Sequence, residues 1–273
     1  MAISFYKMHG AANDFILVDD RKGIFPVDDN DWIAHICARN TGIGSEGVLL
    51  IQESEHADFR MRFFNPDGNE VDMCGNGARC IARLAGELGV VQGKMAFETP
   101  AGIVRAEIKE KDIVLLHMTP PGNWRMDQTL NLDGNTLQYH FVNTGVPHVV
   151  VPLEESLGEV DVVGWGREIR NNDAFAPDGT NVNFMQVTGP HSIYVRTYER
   201  GVEAETPACG TGIVACGLVA GRLGLSSVPV KAVSAGGHEL EVGFELVDGE
   251  ADQVTLTGPA EHVFHGKINH PSG

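Results

Sequence analysis

Laid on itself with a shift of 135 positions, this chain of 273 residues repeats. Cys74 falls on Cys209, Gly75 on Gly210, Gly77 on Gly212, Gly86 on Gly221, Leu88 on Leu223 and Gly89 on Gly224. The same shift puts Gly10 on Gly145, Gly44 on Gly179, Phe59 on Tyr194 and Phe63 on Tyr198, and sets Thr99-Pro100-Ala101-Gly102 beside Ser234-Ala235-Gly236-Gly237. A five-residue insertion then brings Asp112 onto Asp252. With 33 glycines in the chain, a few such matches arise by accident. An unchanged register that also carries aromatic positions and the only two Cys-Gly-x-Gly segments does not, and it identifies one unit of roughly 120 to 130 residues used twice. Any fold for this chain has to be two versions of one plan.

Within each copy the apolar residues alternate more often than they follow a helical period. Strands are expected over 3–8, 14–19, 48–51 and 58–64, with a helix over 28–39. A second helix runs from Cys74 to about Leu88 and is closed by Gly89 just past its end. The second half repeats the order, with strands over 137–141, 148–151, 180–187 and 193–198 and helices over 160–169 and 210–223. Many strands joined by turns, with two helices per copy, define an α+β class: two similar pseudo-symmetric domains of mostly antiparallel sheet. The turn-rich Thr119–Trp124 places the boundary near residue 120. The expected domains are an N-terminal repeat, 1–120, and a C-terminal repeat, 121–273, whose last strand can return to the first domain.

A formal net charge of −17 opposes binding to nucleic acid or anionic lipid, which takes clustered Lys and Arg. No apolar run is long enough to span a bilayer, and the N-terminal MAISFYKMHG lacks the basic start and apolar stretch of a secretory signal. The expected setting is cytoplasmic and the expected ligand a small molecule, with no nucleic-acid or membrane partner. The five cysteines, Cys37, Cys74, Cys80, Cys209 and Cys216, show no Cys-x-x-Cys spacing. They read as thiols in a reducing compartment, not as bridges or zinc ligands.

Gly42-Ile43-Gly44-Ser45-Glu46-Gly47 has the spacing of a dinucleotide-binding loop, but that fingerprint needs a strand before it and a helix after it. Here a helical pattern precedes and an apolar run follows, so a helix-to-strand turn is expected. The Cys-Gly-x-Gly segments are different. Each sets a thiol just ahead of a helix start, where unpaired amides and the helix dipole favour negative charge, lower a thiol pKa and can hold a carboxylate. Cys37, Cys80 and Cys216 read as buried small hydrophobes. Inverting a carbon that bears hydrogen requires a base on one face and an acid on the other. Two matched thiols related by a pseudo-twofold, facing each other across a cleft, would supply both. The amides of Gly75, Asn76, Gly210 and Thr211 would then bind an α-carboxylate as carbanion-like charge builds.

At this point the motifs become specific. KMHGAANDF, GIGSEGVLL, FNPDGNEVDMCGNGARC, TPAG, NTGVPHVV, NVNFMQV and YERGVEAETPACGTG stand in the order found in diaminopimelate epimerases, and the chain resembles that family from Lys7 to about Gly212. The resemblance implies two domains, each a β-barrel around a central helix, with the site in the interdomain cleft, no cofactor such as pyridoxal phosphate, and a homodimer. It implies interconversion of LL- and meso-diaminopimelate on the lysine and peptidoglycan pathway. Residue by residue, it implies Cys74 and Cys209 as the catalytic pair and Gly75, Asn76, Gly210 and Thr211 as the carboxylate-binding helix starts. It further implies Asn13, Asn65, Asn181, Glu199 and Arg200 as substrate-gripping residues, with His148 beside the site and Glu199 also supporting it. The shift pairs Asn13 with His148 and Asn65 with Arg200. Equivalent positions thus carry different side chains, as expected where one half surrounds the reacting centre and the other reads the remote end. The guanidinium fork of Arg200 suits a distal carboxylate, and Glu199 suits an ammonium.

Two positions depart from some family members. Gly47 stands where those carry a glutamine that touches substrate, and Val146 where some carry asparagine. The alternatives are another thiol-pair racemase acting on proline, hydroxyproline or histidine, for which Arg200 would have little use, and a thiol redox or metal-binding protein. The latter would draw on His262, His265 and His270, which lack metal-site spacing, and no metal is expected.

Overall fold

The computed structural model describes residues 2–110, 112–132, 135–154, 156–247 and 249–271. The chain divides into two compact units, Met1–Leu116 with Gly258–Gly273 (unit 1) and His117–Thr257 (unit 2). The division falls shortly before the turn-rich Thr119–Trp124, and the C-terminal residues lie in unit 1.

The first repeat contributes β1 (Ala2–Gly10), β2 (Asn13–Asp19), α1 (Asn30–Cys37), β3 (Val48–Gln52), β4 (Phe59–Phe64), β5 (Glu70–Val71), α2 (Gly75–Glu87), β6 (Lys94–Thr99), β7 (Gly102–Glu110) and β8 (Ile113–His117). After β9 (Gly122–Leu132) the second repeat contributes β10 (Asn135–Asn143), β11 (Pro147–Pro152), α3 (Val162–Arg170), β12 (Asn181–Gly189), β13 (Ser192–Glu199), β14 (Ala204–Thr206), α4 (Gly210–Arg222), β15 (Val230–Ser234), β16 (Glu239–Val247) and β17 (Glu250–Pro259), and β18 (Glu261–Asn269) ends the chain.

Both units follow one pairing plan. In unit 1 β1 and β2 are antiparallel, β2 and β3 parallel, β3 and β4 antiparallel, β4 and β6 parallel, and β6 and β7 antiparallel. In unit 2 the same alternation runs through β10, β11, β12, β13, β15 and β16. The parallel pairs fall where a helix intervenes in the chain, because parallel neighbours need a crossover while antiparallel ones need only a turn. Each sheet is therefore antiparallel except where α1, α2, α3 and α4 force a crossover.

The last strand of each repeat is exchanged. β18 pairs antiparallel with β1, from Ala2↔Asn269 to His9↔Glu261, and so completes unit 1. β9 follows the first repeat in sequence but pairs antiparallel with β10, from Asn135↔Leu132 to Asn143↔Gly122, and so completes unit 2. β9 was not among the expected strands. Only Leu132 is fully buried, although Trp124, Met126, Leu130 and Leu132 alternate with polar residues as a strand requires; the Pro120-Pro121-Gly122 that opens it reads as a turn.

α1 and α3 are one-sided helices, capped by Asp29 accepting from the Trp32 amide at 3.0 Å and by Asp161 accepting from the Gly164 amide at 2.9 Å. α2 and α4 are buried all round: residues 76–85 of α2 and 212–220 of α4 are inaccessible, which places each helix within its own sheet. α2 lies on β1, β2, β3 and β7, and α4 on β10, β11, β12, β13, β15 and β16. Small residues permit this approach. A methyl group at Gly217 would lie 2.8 Å from Val242 Cβ, and one at the matched Gly86 or Gly221 would lie 2.4 Å from Ile108 Cδ1 or Phe244 Cζ. α2 carries Arg79 and Arg83 where α4 carries Val214 and Leu218. Arg83 meets Asp112 at 2.5 Å, bonds Glu87 at 2.8 Å and donates to the Ala260 carbonyl, so charge pins one helix where hydrocarbon packs the other.

Candidate active site

In unit 1 the short β5 leads the chain into α2, with Cys74 as N-cap in an extended conformation. Its side chain does not cap the helix. Asn13, the first residue of β2, directs Nδ2 at Cys74 Sγ from 4.0 Å, and its Oδ1 is buried without a partner among the described residues. Asn76 is buried, with Oδ1 accepting from Arg79 Nη2 at 2.9 Å. Arg79 is wholly buried and donates Nε to the Pro259 carbonyl at 3.3 Å; burial pushes its pKa down while the nearby Cys80 and Cys74 oppose this. A side chain built at Gly75 would meet no atom within 4 Å. Asn65 lies just past β4, its amide donating to the Asn69 carbonyl at 2.9 Å across the turn into β5.

In unit 2 Cys209 is the N-cap of α4, also without capping it, and its Sγ lies 3.6 Å from Thr211 Oγ1. The Thr211 carbonyl accepts from Thr144 Oγ1 at 3.0 Å. His148 in β11 is fully buried, with Nδ1 3.1 Å from Asn183 Nδ2 and with Nε2 lacking a partner among the described residues. Burial, aided by the Arg200 cation, pushes its pKa down to about 3, so the ring is neutral. Asn181 opens β12 and joins two segments, accepting from the Arg200 amide at 2.9 Å and donating to the Pro147 carbonyl at 3.1 Å. Arg200 Nη1 donates to the Asp178 carbonyl at 3.0 Å, and Glu199 Oε2 accepts from Thr206 Oγ1 at 2.8 Å.

The structure thus gathers Asn13, Cys74 and Asn76 in unit 1, and Cys209 with Thr211, and Asn181 with Arg200, in unit 2. Sequence reasoning missed Arg79, Asn183 and Thr144. For Asn183 a signal existed: it is a polar residue within Val182–Met185, a stretch of β12 buried on both faces. Cys37, Cys80 and Cys216 are buried, and burial pushes their thiols up, Cys80 to about 12.

The glycine-rich loop at Gly42–Gly47 is a helix-to-strand turn. Its amides are spent on the end of α1, from Gly42 to Ala38 at 2.9 Å, Ile43 to Ile36 at 2.9 Å and Ser45 to Cys37 at 3.0 Å. Gly47 has φ +145°, and a side chain there would lie 2.3 Å from the Phe64 carbonyl and 2.6 Å from the Phe63 ring. This backbone leaves no room for a side chain at position 47. Among the described residues no group of three or more His, Cys, Asp or Glu could hold a metal ion. His262 bonds Glu87 at 2.6 Å and His270 bonds Asp29 at 3.0 Å.

The architecture is α+β, with mostly antiparallel strands and one fully buried helix in each unit. A hydroxyproline epimerase from Agrobacterium vitis has the same fold with a TM-score of 0.70 at 18% identity, covering 100% of this chain and 94% of its own. The family profile for diaminopimelate epimerase matches residues 5–123 and 140–263. The diaminopimelate epimerase of Aquifex aeolicus is 41% identical over 278 aligned residues, 98% of each chain. That of Chlorobaculum tepidum is 42% identical over 264 residues, 96% of this chain and 99% of its own. The chain belongs to the diaminopimelate epimerase family.

Proposed function

We propose that the protein interconverts LL- and meso-diaminopimelate, with Cys74 and Cys209 exchanging the roles of base and acid at one α-carbon. The observation that carries this reading is the match of the two buried helices, Gly75–Glu87 and Gly210–Arg222, each with an uncapping cysteine at its N-cap, in a chain of this family. One sulfur starts as thiolate and takes the α-proton. The electron pair left on carbon delocalises into the α-carboxylate, and the other thiol delivers its proton to the opposite face, so the pair still holds one proton and the sulfurs have traded places. The first amides of α2 and α4, from Gly75, Asn76, Gly210 and Thr211, stabilise the carboxylate as its charge grows. Asn65, Asn181, Glu199 and Arg200 read the rest of the substrate, with Arg200 on the distal carboxylate. The same reading makes the substrate an intermediate of lysine and peptidoglycan synthesis and the enzyme a cytoplasmic homodimer. It is supported by the family.

The test is incubation with LL-diaminopimelate in deuterated water, followed by mass spectrometry and optical rotation. Deuterium should enter at the α-carbon while the rotation moves to that of an LL and meso mixture. No exchange with this substrate, or faster exchange with proline or hydroxyproline, overturns the assignment.

A further inference from the structure

Matched turns follow β4 in unit 1 and β13 in unit 2, and they are stiffened by different means. The 135-residue shift pairs Asn65 with Arg200, Pro66 with Gly201, Asp67 with Val202 and Gly68 with Glu203. In unit 1 the turn is closed by local chemistry: Pro66 has a fixed φ, the Asp67 carboxylate accepts from the Asn69 amide at 3.0 Å, and Gly68 takes φ +84°. In unit 2 the proline gives way to Gly201 at φ +91°, and the second left-handed position, φ +59°, is filled by Glu203. A residue with a Cβ adopts that conformation only at a cost, which the glycine of the matched position avoids. A side chain kept against such a local preference marks a place where it is used.

The Glu203 carboxylate gathers what the glycine releases. Oε1 accepts from the Gly201 amide at 3.0 Å and from Arg170 Nε at 3.1 Å, and Oε2 accepts from the Tyr198 hydroxyl at 3.1 Å. The Gly201 amide first, then Arg170 and Tyr198, hold the carboxyl below the usual carboxylate range against the desolvation that opposes them. The Glu203 amide adds a backbone bond to the Glu199 carbonyl at 2.8 Å. The shift sets Phe63 opposite Tyr198, His35 opposite Arg170 and Gly68 opposite Glu203. Hydroxyl, guanidinium and carboxylate therefore stand together in the half that carries Arg200 and are missing together from the half that carries Asn65.

These contacts close a ring around Arg200. Its amide donates to Asn181 Oδ1 at 2.9 Å and its Nη1 to the Asp178 carbonyl at 3.0 Å, both on the segment that leads into β12. Between those two acceptors lies Gly179, where any side chain would run into the Arg170 guanidinium. Arg170, the last residue of α3, thus lies against the segment that receives Arg200 and also bonds the carboxylate that fixes the turn from which Arg200 projects. The Arg170–Glu203 pair is partly exposed, and a pair of that kind adds little to stability. What it supplies is orientation.

We infer that Glu203, bridged to Arg170 and Tyr198, is a positioning residue that sets the Arg200 guanidinium before substrate arrives and so determines specificity for a substrate with a second carboxylate. This role presupposes the assignment of Arg200 to the distal carboxylate. A long flexible side chain that is ordered in advance loses less freedom when it grips its ligand. Glu203 therefore acts on substrate binding more than on proton transfer at the α-carbon.

The experiment compares Glu203→Gly and Glu203→Gln with wild type by three measurements: melting temperature, nitrogen relaxation of the Arg200 Nε–H in substrate-free enzyme, and steady-state kinetics. Glu203→Gly removes the carboxylate and relieves the backbone, so the melting temperature should stay at or above that of wild type. The Arg200 Nε–H should pass from ordered to mobile. KM for LL-diaminopimelate should rise about tenfold, the scale of one charge-assisted hydrogen bond, with kcat within about twofold of wild type. Glu203→Gln keeps an acceptor for Gly201 and Arg170 and can donate to the Tyr198 oxygen, so it should restore most of the order and of KM. A Glu203→Gly enzyme whose Arg200 is as ordered as in wild type, or whose KM is unchanged, overturns the inference, as does a Glu203→Gln enzyme as impaired as Glu203→Gly. Should Glu203→Gly fail to fold, Arg170→Gln, which leaves the backbone of the turn alone, decides by the same relaxation and KM measurements. Relaxation is read without turnover, so failure of the substrate assignment would leave the loss of Arg200 order intact and remain distinguishable.

Discussion

A sulfur at a helix start can share its negative charge with the amides ahead of it, whereas a sulfur inside the helix finds those amides already bonded. The five cysteines divide accordingly. Alkylation of native enzyme should modify Cys74 first and Cys209 next, and leave Cys37, Cys80 and Cys216 untouched until the protein unfolds; peptide mapping that found Cys80 or Cys216 labelled in the folded state would contradict this. Replacing Cys74 or Cys209 by Ala should lower kcat/KM by about 10²–10⁴-fold or more in both directions, the scale of losing a general acid or base. His148 also sets a pH dependence of stability. Its folded pKa of about 3 lies below its ordinary 6.5, so the unfolded chain binds the extra proton, and the stability this supplies is complete above pH 6.5 and lost as pH falls toward 3. The melting temperature of wild type should fall more steeply than that of His148→Gln between pH 6.5 and 4, and parallel curves would refute the depressed pKa. The matched cysteines could be read from the sequence because duplication singles them out. The polarity of Asn183 within an apolar strand could be read too, but its bond could not, because nothing in one sequence shows that such a residue is bonded to a ring far away along the chain.

At the scale of elements the duplication carried most of the information. Once the first copy is parsed, the helices at Gly75–Glu87 and Gly210–Arg222 coincide under the shift. The parallel pairs were not foreseen as such, since alternation shows that a segment is a strand and says nothing of its partner's direction. β9 escaped because the Pro- and Gly-rich turn that opens it reads as a domain boundary and masks the alternating Trp124, Met126, Leu130 and Leu132, and its counterpart β18 lies far along the chain. The close approach of α4 to β16 gives a direct test. Ala is the better helix former by about 1 kcal/mol. Yet Gly217→Ala should destabilise by about 1–3 kcal/mol, because the added methyl meets the stiff Val242 Cβ at 2.8 Å. A urea midpoint at or above that of wild type would show that the strand yields.

At the scale of the whole molecule, each unit owns a stretch of chain that the other repeat supplies, and this turns the order of synthesis into a constraint. A ribosome begins unit 1 first and finishes it last. Unit 2, running without interruption from His117 to Thr257, has all its residues before β18 exists. Until then the Phe5 ring lacks Gly266 to lie upon, and Ile268 is missing from the cluster around Ile3, Phe5 and Ile16. α2 lacks the Pro259 and Ala260 carbonyls that receive Arg79 and Arg83. A chain ending at Gly258 should therefore be inactive, with α2 and β1 amides exchanging quickly in deuterated water while those of α4 and β12 stay protected; equal protection in both helices would show that the exchanged strand is dispensable. The helix that starts at Cys74 is thus secured from far along the chain, and a cut anywhere ahead of Pro259 severs Arg79 and Arg83 from the covalent run that holds their acceptors.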